Sequence, residues 1–219
     1  MNKILITSKD GTHTIFDKET DEHYHSVFGA YTESQQVFIT NGLNSSGRNP
    51  LNVLEIGFGT GLNAFLAMIE GQKNNRIVFY EAIELYPLVP ELTRNLNYAE
   101  LIAPSFASLF FEMHNCKWNK QIAITKSFNL KKIPGDALEM ELTNIYDVVF
   151  FDAFSPDKQP EMWDGRLFEK VYKAMNTGGV LTTYCAKGIV KRALKEKGFK
   201  VEVLPGPPGK RHVIRAVKQ

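Results

Sequence analysis

From Leu51 onward the chain alternates short apolar runs with longer stretches of helical spacing. The strand-like runs are L-N-V-L-E-I from Leu51, R-I-V-F-Y-E-A-I from Arg76, F-N-L-K-K-I from Phe128, Y-D-V-V-F-F-D-A-F from Tyr146, G-V-L-T-T-Y-C from Gly179, F-K-V-E-V-L from Phe199 and H-V-I-R-A-V from His212. Helical spacing covers 61–69, 87–100, 104–116, 166–175 and 189–197. Strands that are apolar throughout, alternating with helices, predict a mostly parallel sheet covered on both faces. The last two strands are joined only by P-G-P-P-G-K-R. A parallel pair needs a dozen or more connecting residues, so this pair is expected to be antiparallel. The pattern therefore predicts an α/β fold with a seven-stranded, mostly parallel sheet and one reversed strand.

The first fifty residues follow a different pattern. K-I-L-I-T-S and T-H-T-I-F flank an Asp10-Gly11 turn, which predicts a β-hairpin. A short helix follows over 32–42, with Val37 and Phe38 on its apolar face and Gly42 as its stop.

Composition and charge narrow the class. With 43% hydrophobic and 23% charged residues among 219, the chain is an ordinary globular protein, which excludes disorder and coiled coil. It shows neither an export signal nor a run of about 20 apolar residues, so a cytoplasmic location is expected. Cys116 and Cys185 lack CxxC spacing and read as reduced thiols. No His/Cys/acid cluster has metal-ligand spacing, so no metal is expected. The net charge of +2 hides an asymmetry: residues 187–219 hold ten Lys/Arg against two acids, a basic end of +8 on a body of −6. Such an end suits a polyanionic partner, although a solvated surface would show the same count.

The candidate chemistry lies at successive strand ends. In L-N-V-L-E-I-G-F-G-T-G-L-N, a strand runs through Glu55 into Gly57, Phe58, Gly59, Thr60 and Gly61, then into a helix bearing Asn63. Glycines there allow a tight turn and close approach of a ligand. Leu62 stands where a dinucleotide fingerprint wants its third glycine, and Glu55 would repel a phosphate but suit a sulfonium or ammonium group. Glu84 ends the second strand, where a carboxylate can take both ribose hydroxyls, and Asp136-Ala137 follows the third, placed to accept from an exocyclic amine. Asp152 ends the fourth, ahead of Phe154 and Pro156. Each acid alone could be a cap or surface charge; together they follow the rule that open α/β sheets bind ligands at the strands' carboxyl ends.

E-I-G-F-G-T-G, Glu84 and G-D-A together resemble the class I S-adenosylmethionine-dependent methyltransferases, over roughly Leu51 to the end. A narrower resemblance rests on D-A-F-S-P-D-K-Q-P-E-M-W, which is similar to the D-G-F-A-P-x-K-N-P-D-M-W stretch of the MnmC/MnmD family. D-G-T-H-T-I-F, Y-H-S-V-F-G-A-Y-T-E-S-Q-Q-V-F and P-G-P-P-G-K-R-H-V-I-R also resemble that family's blocks, so the likeness runs along nearly the whole chain. Ala153, Ser155, Gln159 and Glu161 depart from the family's commoner Gly, Ala, Asn and Asp.

The resemblance implies a Rossmann-like methyltransferase domain over 51–219, with 1–50 as an N-terminal elaboration. It implies S-adenosyl-L-methionine as cofactor, and methylation of the aminomethyl nitrogen of 5-aminomethyl-(2-thio)uridine at the tRNA wobble position. The cofactor set is Glu55, Gly57, Phe58, Gly59, Thr60, Gly61, Asn63, Glu84, Asp136, Ala137 and Asp152, with Asp152 as catalytic residue. Tyr31, Phe154 and Pro156 are expected against the anticodon-loop base, and Lys210 and Arg211 on phosphates. The two-domain members add an oxidase, so a separate enzyme is expected to supply the aminomethyl group. Rival readings are an aminopropyltransferase or another methyltransferase acting on a small amine, a nicotinamide-dependent dehydrogenase, and a non-catalytic RNA-binding protein.

Overall fold

A computed structural model describes residues 2–219. Eight strands form one sheet: β4 (Leu51–Ile56), β5 (Val78–Glu84), β6 (Gln121–Ala123), β7 (Phe128–Pro134), β8 (Tyr146–Phe151), β9 (Met175–Thr183), β10 (Phe199–Pro205) and β11 (His212–Lys218). Their spatial order is β10-β11-β9-β8-β4-β5-β7-β6. The five central strands β9, β8, β4, β5 and β7 are parallel. β11 runs antiparallel to both β9 and β10, as the short P-G-P-P-G-K-R connection requires. The strands read from the sequence are all present. The eighth, β6, pairs antiparallel with the edge of β7 and is too short to carry a periodic signal. This is the Rossmann-like arrangement expected of a class I methyltransferase, and the strand order changes direction between β4 and β8, where such sheets bind ligands.

The helices are α2 (Leu62–Lys73), α3 (Pro90–Thr93), α4 (Tyr98–Ile102), α5 (Ala107–Asn115), α6 (Gly165–Lys173) and α7 (Gly188–Glu196). The single helix expected over 87–100 is two short ones, because Pro90 starts a helix that lasts barely one turn and Asn97 begins the next.

Ahead of β4, β1 (Lys3–Thr7) and β2 (His13–Asp17) form the expected hairpin. β3 (Glu22–His23) adds a third strand, and α1 (Ala30–Ser34) continues into a wider helical turn over Gln35–Thr40. That helix ends at Thr40 with Asn41 as its cap, two residues short of the expected Gly42, where a Cβ would lie 2.4 Å from the Phe38 carbonyl oxygen. Ile15, Val37 and Phe38 belong to the same buried cluster as Leu51, Val53, Phe65 and Phe150. The N-terminal fifty residues therefore pack directly on the central sheet and share its core.

Candidate active site

The carboxyl ends of β4, β5, β7 and β8 are held in step by backbone bonds. Gly57 donates to the Ile83 carbonyl, Asp152 to that of Ile56 and Gly135 to that of Glu84, at 2.9, 3.0 and 3.0 Å. Over these ends lies a cavity of about 420 Å³. Gly57, Phe58, Gly59 and Thr60 line one side; Glu84, Asp136, Ala137 and Asp152 line the sheet end.

Gly57 has φ +95°, and a Cβ there would lie 2.7 Å from the Asp152 carbonyl oxygen. The first glycine of the turn thus lets two strand ends approach each other. Glu84 ties the turn down: Oε2 accepts from Gly59 N and Oε1 from Tyr86 N, each at 2.8 Å. A carboxylate offers about four acceptor positions, so two remain for ligand hydroxyls. Asp136 Oδ1 accepts from Leu138 N at 2.8 Å, which leaves Oδ2 for the cavity. Two imidazoles clamp Thr60. His25 Nε2 lies 2.6 Å from the Thr60 hydroxyl, and His114 Nε2 donates to the Thr60 carbonyl at 3.1 Å. Burial pushes both imidazoles down to about 4, so both are neutral at pH 7.

Glu55, Gly61 and Asn63 do not face the cavity. Glu55 is fully buried beneath the turn, so the expectation that it meets the ligand's cationic group does not describe its position. Its Oε1 accepts from Asn63 Nδ2 at 2.9 Å, and the same nitrogen donates to Asp152 Oδ2 at 2.8 Å. Burial, with Asp152 nearby, holds the Glu55 carboxyl well above the usual carboxylate range. Gly61 serves packing, since a Cβ would lie 2.9 Å from His114 Nε2.

A second cavity of about 250 Å³ adjoins the first. Tyr24, His25, Asp152, Ala153 and Phe154 line both and form the wall between them. The Tyr24 and Phe154 rings meet edge to face at 5.1 Å. Asp152 is enclosed here. Loss of water and the Glu33 charge push its carboxyl up to about 8, against the opposing pull of Asn63 and Lys210. Such a group keeps its proton at neutral pH and becomes a strong proton acceptor as the pH rises toward and past 8.

The other expected substrate residues separate. Phe154 and Lys210 line the second cavity. Tyr31 lines neither: it packs against the core cluster beneath the hairpin, because α1 turns that face inward. Pro156 is buried in the turn after Phe154, and Arg211 is exposed in the loop between β10 and β11 and lines neither cavity. Lys210 is committed to an ion pair with buried Glu33 and lies 4.9 Å over the Tyr184 ring, so its ammonium is not free for a phosphate.

Residues unmarked by the strand-end argument complete both walls. Lys3, Asp17, Thr20, Tyr24 and His25 come from the N-terminal sheet and the segments flanking its strands, and Glu33 and Tyr184 line the second cavity. Ser155 donates to Glu22 at 2.6 Å and Lys158 to Asp21 at 3.2 Å, fastening the segment after β8 to that sheet. The only sequence signal for these was the Y-H-S-V-F block.

The enclosed glycine turn with its two strand-end carboxylates fits a nucleoside-bearing ligand. Thr20 Oγ1, buried without a partner in the same wall, is a further free polar atom there.

A family described as S-adenosyl-L-methionine-dependent methyltransferase matches residues 102–219. A protein of Aromatoleum aromaticum, named tRNA 5-methylaminomethyl-2-thiouridine biosynthesis bifunctional protein MnmC, is 32% identical over 88% of this chain and 32% of its own length. The chain thus spans about a third of such curated relatives. The crystal structure of MnmC2 from Aquifex aeolicus superposes with a TM-score of 0.80 at 25% identity, covering 99% of this chain and 70% of that one. Spermidine synthase from Thermotoga maritima shares the fold, with a TM-score of 0.62 at 13% identity over 97% of this chain and 67% of that one.

Proposed function

Because the chain belongs to the S-adenosyl-L-methionine-dependent methyltransferases, we propose that it methylates the aminomethyl nitrogen of 5-aminomethyl-(2-thio)uridine at the tRNA wobble position. The observation that carries this reading is the shared wall: Asp152 faces both the cofactor cavity and a smaller, aromatic-lined one. Similarity to MnmC proteins supports the tRNA substrate. Acting on tRNA, the enzyme works in the cytoplasm. A different active site has to supply the aminomethyl group, which methyl transfer does not create.

Glu84 would hold the ribose of S-adenosyl-L-methionine and Asp136 its adenine edge, with the turn from Gly57 to Thr60 along the remainder. The cofactor supplies an electrophilic methyl group on sulfur. Phe154 and Tyr24 hold the flipped base, which an anticodon loop presents without breaking a duplex. Asp152 positions the amine and takes the proton that its ammonium form must lose. The freed lone pair then bonds to the methyl carbon as the carbon–sulfur bond breaks, which leaves the product nitrogen as a secondary ammonium and the sulfur neutral. With its carboxyl near 8, Asp152 stabilises an ammonium less than an ordinary carboxylate would and accepts the proton more readily. Proximity across the wall supplies the rest of the acceleration.

Single-turnover methylation of tRNA bearing 5-aminomethyl-2-thiouridine tests this. The wild type is expected to yield the methylaminomethyl nucleoside, and Asp152→Asn to lose about a hundredfold or more of the rate. Transfer of an aminopropyl group, or methylation at any other nucleoside, would overturn the assignment.

A further inference from the structure

The smaller cavity has a charge balance that methyl transfer alone does not use. Its wall carries the carboxylates of Glu22 and Glu33 and the proton-retaining carboxyl of Asp152 against one lysine, Lys210. His23 and His25 also line it, and His25 is held neutral by burial. Glu22 is occupied by the Ser155 hydroxyl. Glu33, on α1, is 5% exposed. One of its oxygens accepts from Ser26 N at 3.0 Å and the other from Lys210 Nζ. Two of its roughly four acceptor positions are therefore free. The Lys210 ammonium also sits over the face of Tyr184, and Tyr184 is fixed by donating to the Ala153 carbonyl at 2.9 Å. A buried carboxylate here already grips a primary alkylammonium against an aromatic ring.

We infer that Glu33 selects the cationic aminomethyl group of the substrate, and that the Lys210 ammonium holds its place while the cavity is free of substrate. The inference rests on the methylation reading of the same site. A lysine tip and an aminomethyl group on a uracil are the same chemical unit, a CH2 bearing NH3+. Lys210 keeps part of its side chain in solvent, so its tip can withdraw as the substrate's ammonium enters. Glu33 then does two things. It binds the cation, and its charge raises the proton affinity of Asp152, to which the bound ammonium must lose a proton before its lone pair is free. The groups facing this pair are Lys210, Asn63, Glu22, Glu55, His25, Tyr184 and the Ser26 amide. Glu33 and Lys210 are the two of opposite charge that act directly on Asp152.

The test compares wild type, Glu33→Gln and Lys210→Met. The readouts are affinity for tRNA with and without the aminomethyl group, and single-turnover rate across a pH series. Glu33→Gln keeps the acceptor for Ser26 N. It is expected to lose about tenfold or more of the preference for aminomethylated tRNA, the worth of one hydrogen bond to a charged group, and to move the rising limb of the pH profile to lower pH. Lys210→Met is expected to keep the preference and move that limb to higher pH. Opposite shifts distinguish charge from fold damage. Full preference in Glu33→Gln, or shifts of the same sign in both variants, would overturn the role of Glu33 while leaving methylation standing. A wild type that binds both tRNAs alike would instead sink the substrate reading and this inference with it.

Discussion

Asn63 donates its Nδ2 to Asp152 Oδ2 across 2.8 Å, from the first turn of the helix that follows the glycine turn. The same nitrogen also serves Glu55, while Asn63 Oδ1 and Glu55 Oε2 are buried without partners. A network this incompletely satisfied costs stability, and its effect is to fix the orientation of Asp152. Asn63→Leu removes the donor at similar volume. We expect the Asp152 carboxyl to rise beyond about 8, because the bond that favours its charged form is gone. The rising limb of the pH–rate profile should move to higher pH, and stability should fall by about 1–3 kcal/mol, read from urea unfolding. An unmoved limb would mean that Asn63 serves the fold alone.

Asp152 is also held by what Gly57 lacks. A methyl group there would be forced to 2.7 Å from the Asp152 carbonyl oxygen, on a backbone at φ +95°. Gly178 provides the control: its φ is +77°, with nothing within 4 Å of an added Cβ. Gly178→Ala should cost only the left-handed strain of about 1–2 kcal/mol and leave methylation unchanged. Gly57→Ala adds the clash and should cost about 3 kcal/mol or more, with loss of activity. Equal costs in thermal unfolding would show that the approach of the two strand ends relaxes easily.

The glycine turn and the acids Glu84, Asp136 and Asp152 were legible because strand ends converge by topology: once the period assigns the strands, their carboxyl ends must share a face. Glu55, within the same motif, was not legible. Its position just before the turn suggests exposure to ligand, but its side chain points beneath α2, where only three-dimensional packing tells inside from outside. Tyr24, His25, Glu33 and Tyr184 were not legible as a set. Three come from the N-terminal elaboration and one from the end of β9, and no periodicity links such distant segments. Lys210 shows the limit of counting charges, because the sequence gives its sign but not its partner.

His25 supplies a test of how the elaboration grips the turn. Its imidazole is buried against Thr60 and pushed down to about 4, whereas an unfolded chain binds that proton near 6.5. The unfolded state therefore holds more protons between those values. The stabilisation is fully present above about pH 6.5 and is lost as pH falls toward 4. The shift is worth about 3 kcal/mol at most. His25→Asn should be less stable at pH 7 and should flatten this part of the curve, so that the two proteins converge near pH 4. Parallel curves from pH 7 to pH 4 would show that His25 titrates alike in both states.

The basic end of the chain separates into two populations, and the salt dependence of tRNA binding should tell them apart. Lys187, Lys197, Lys200, Lys210 and Arg215 each lie within ion-pair distance of an acid. Lys191, Arg192 and Lys195 on α7, together with Arg211 and with Lys218, which donates to the Met175 carbonyl, have no such partner among the described residues. Only an unpaired cation can neutralise a phosphate without first giving up a carboxylate, and each phosphate so neutralised releases counterions. A triple Ala variant of Lys191, Arg192 and Lys195 should therefore weaken tRNA binding. It should also make the slope of log affinity against log salt shallower by about 0.7–0.9 for each phosphate no longer neutralised. Replacing Lys197 and Lys200 by Ala removes the same kind of charge from the same end but should leave the slope unchanged. Fluorescence anisotropy with labelled tRNA over a salt series measures both. If the paired lysines carry the slope and the α7 residues do not, the RNA lies across β10 and β11 rather than along α7.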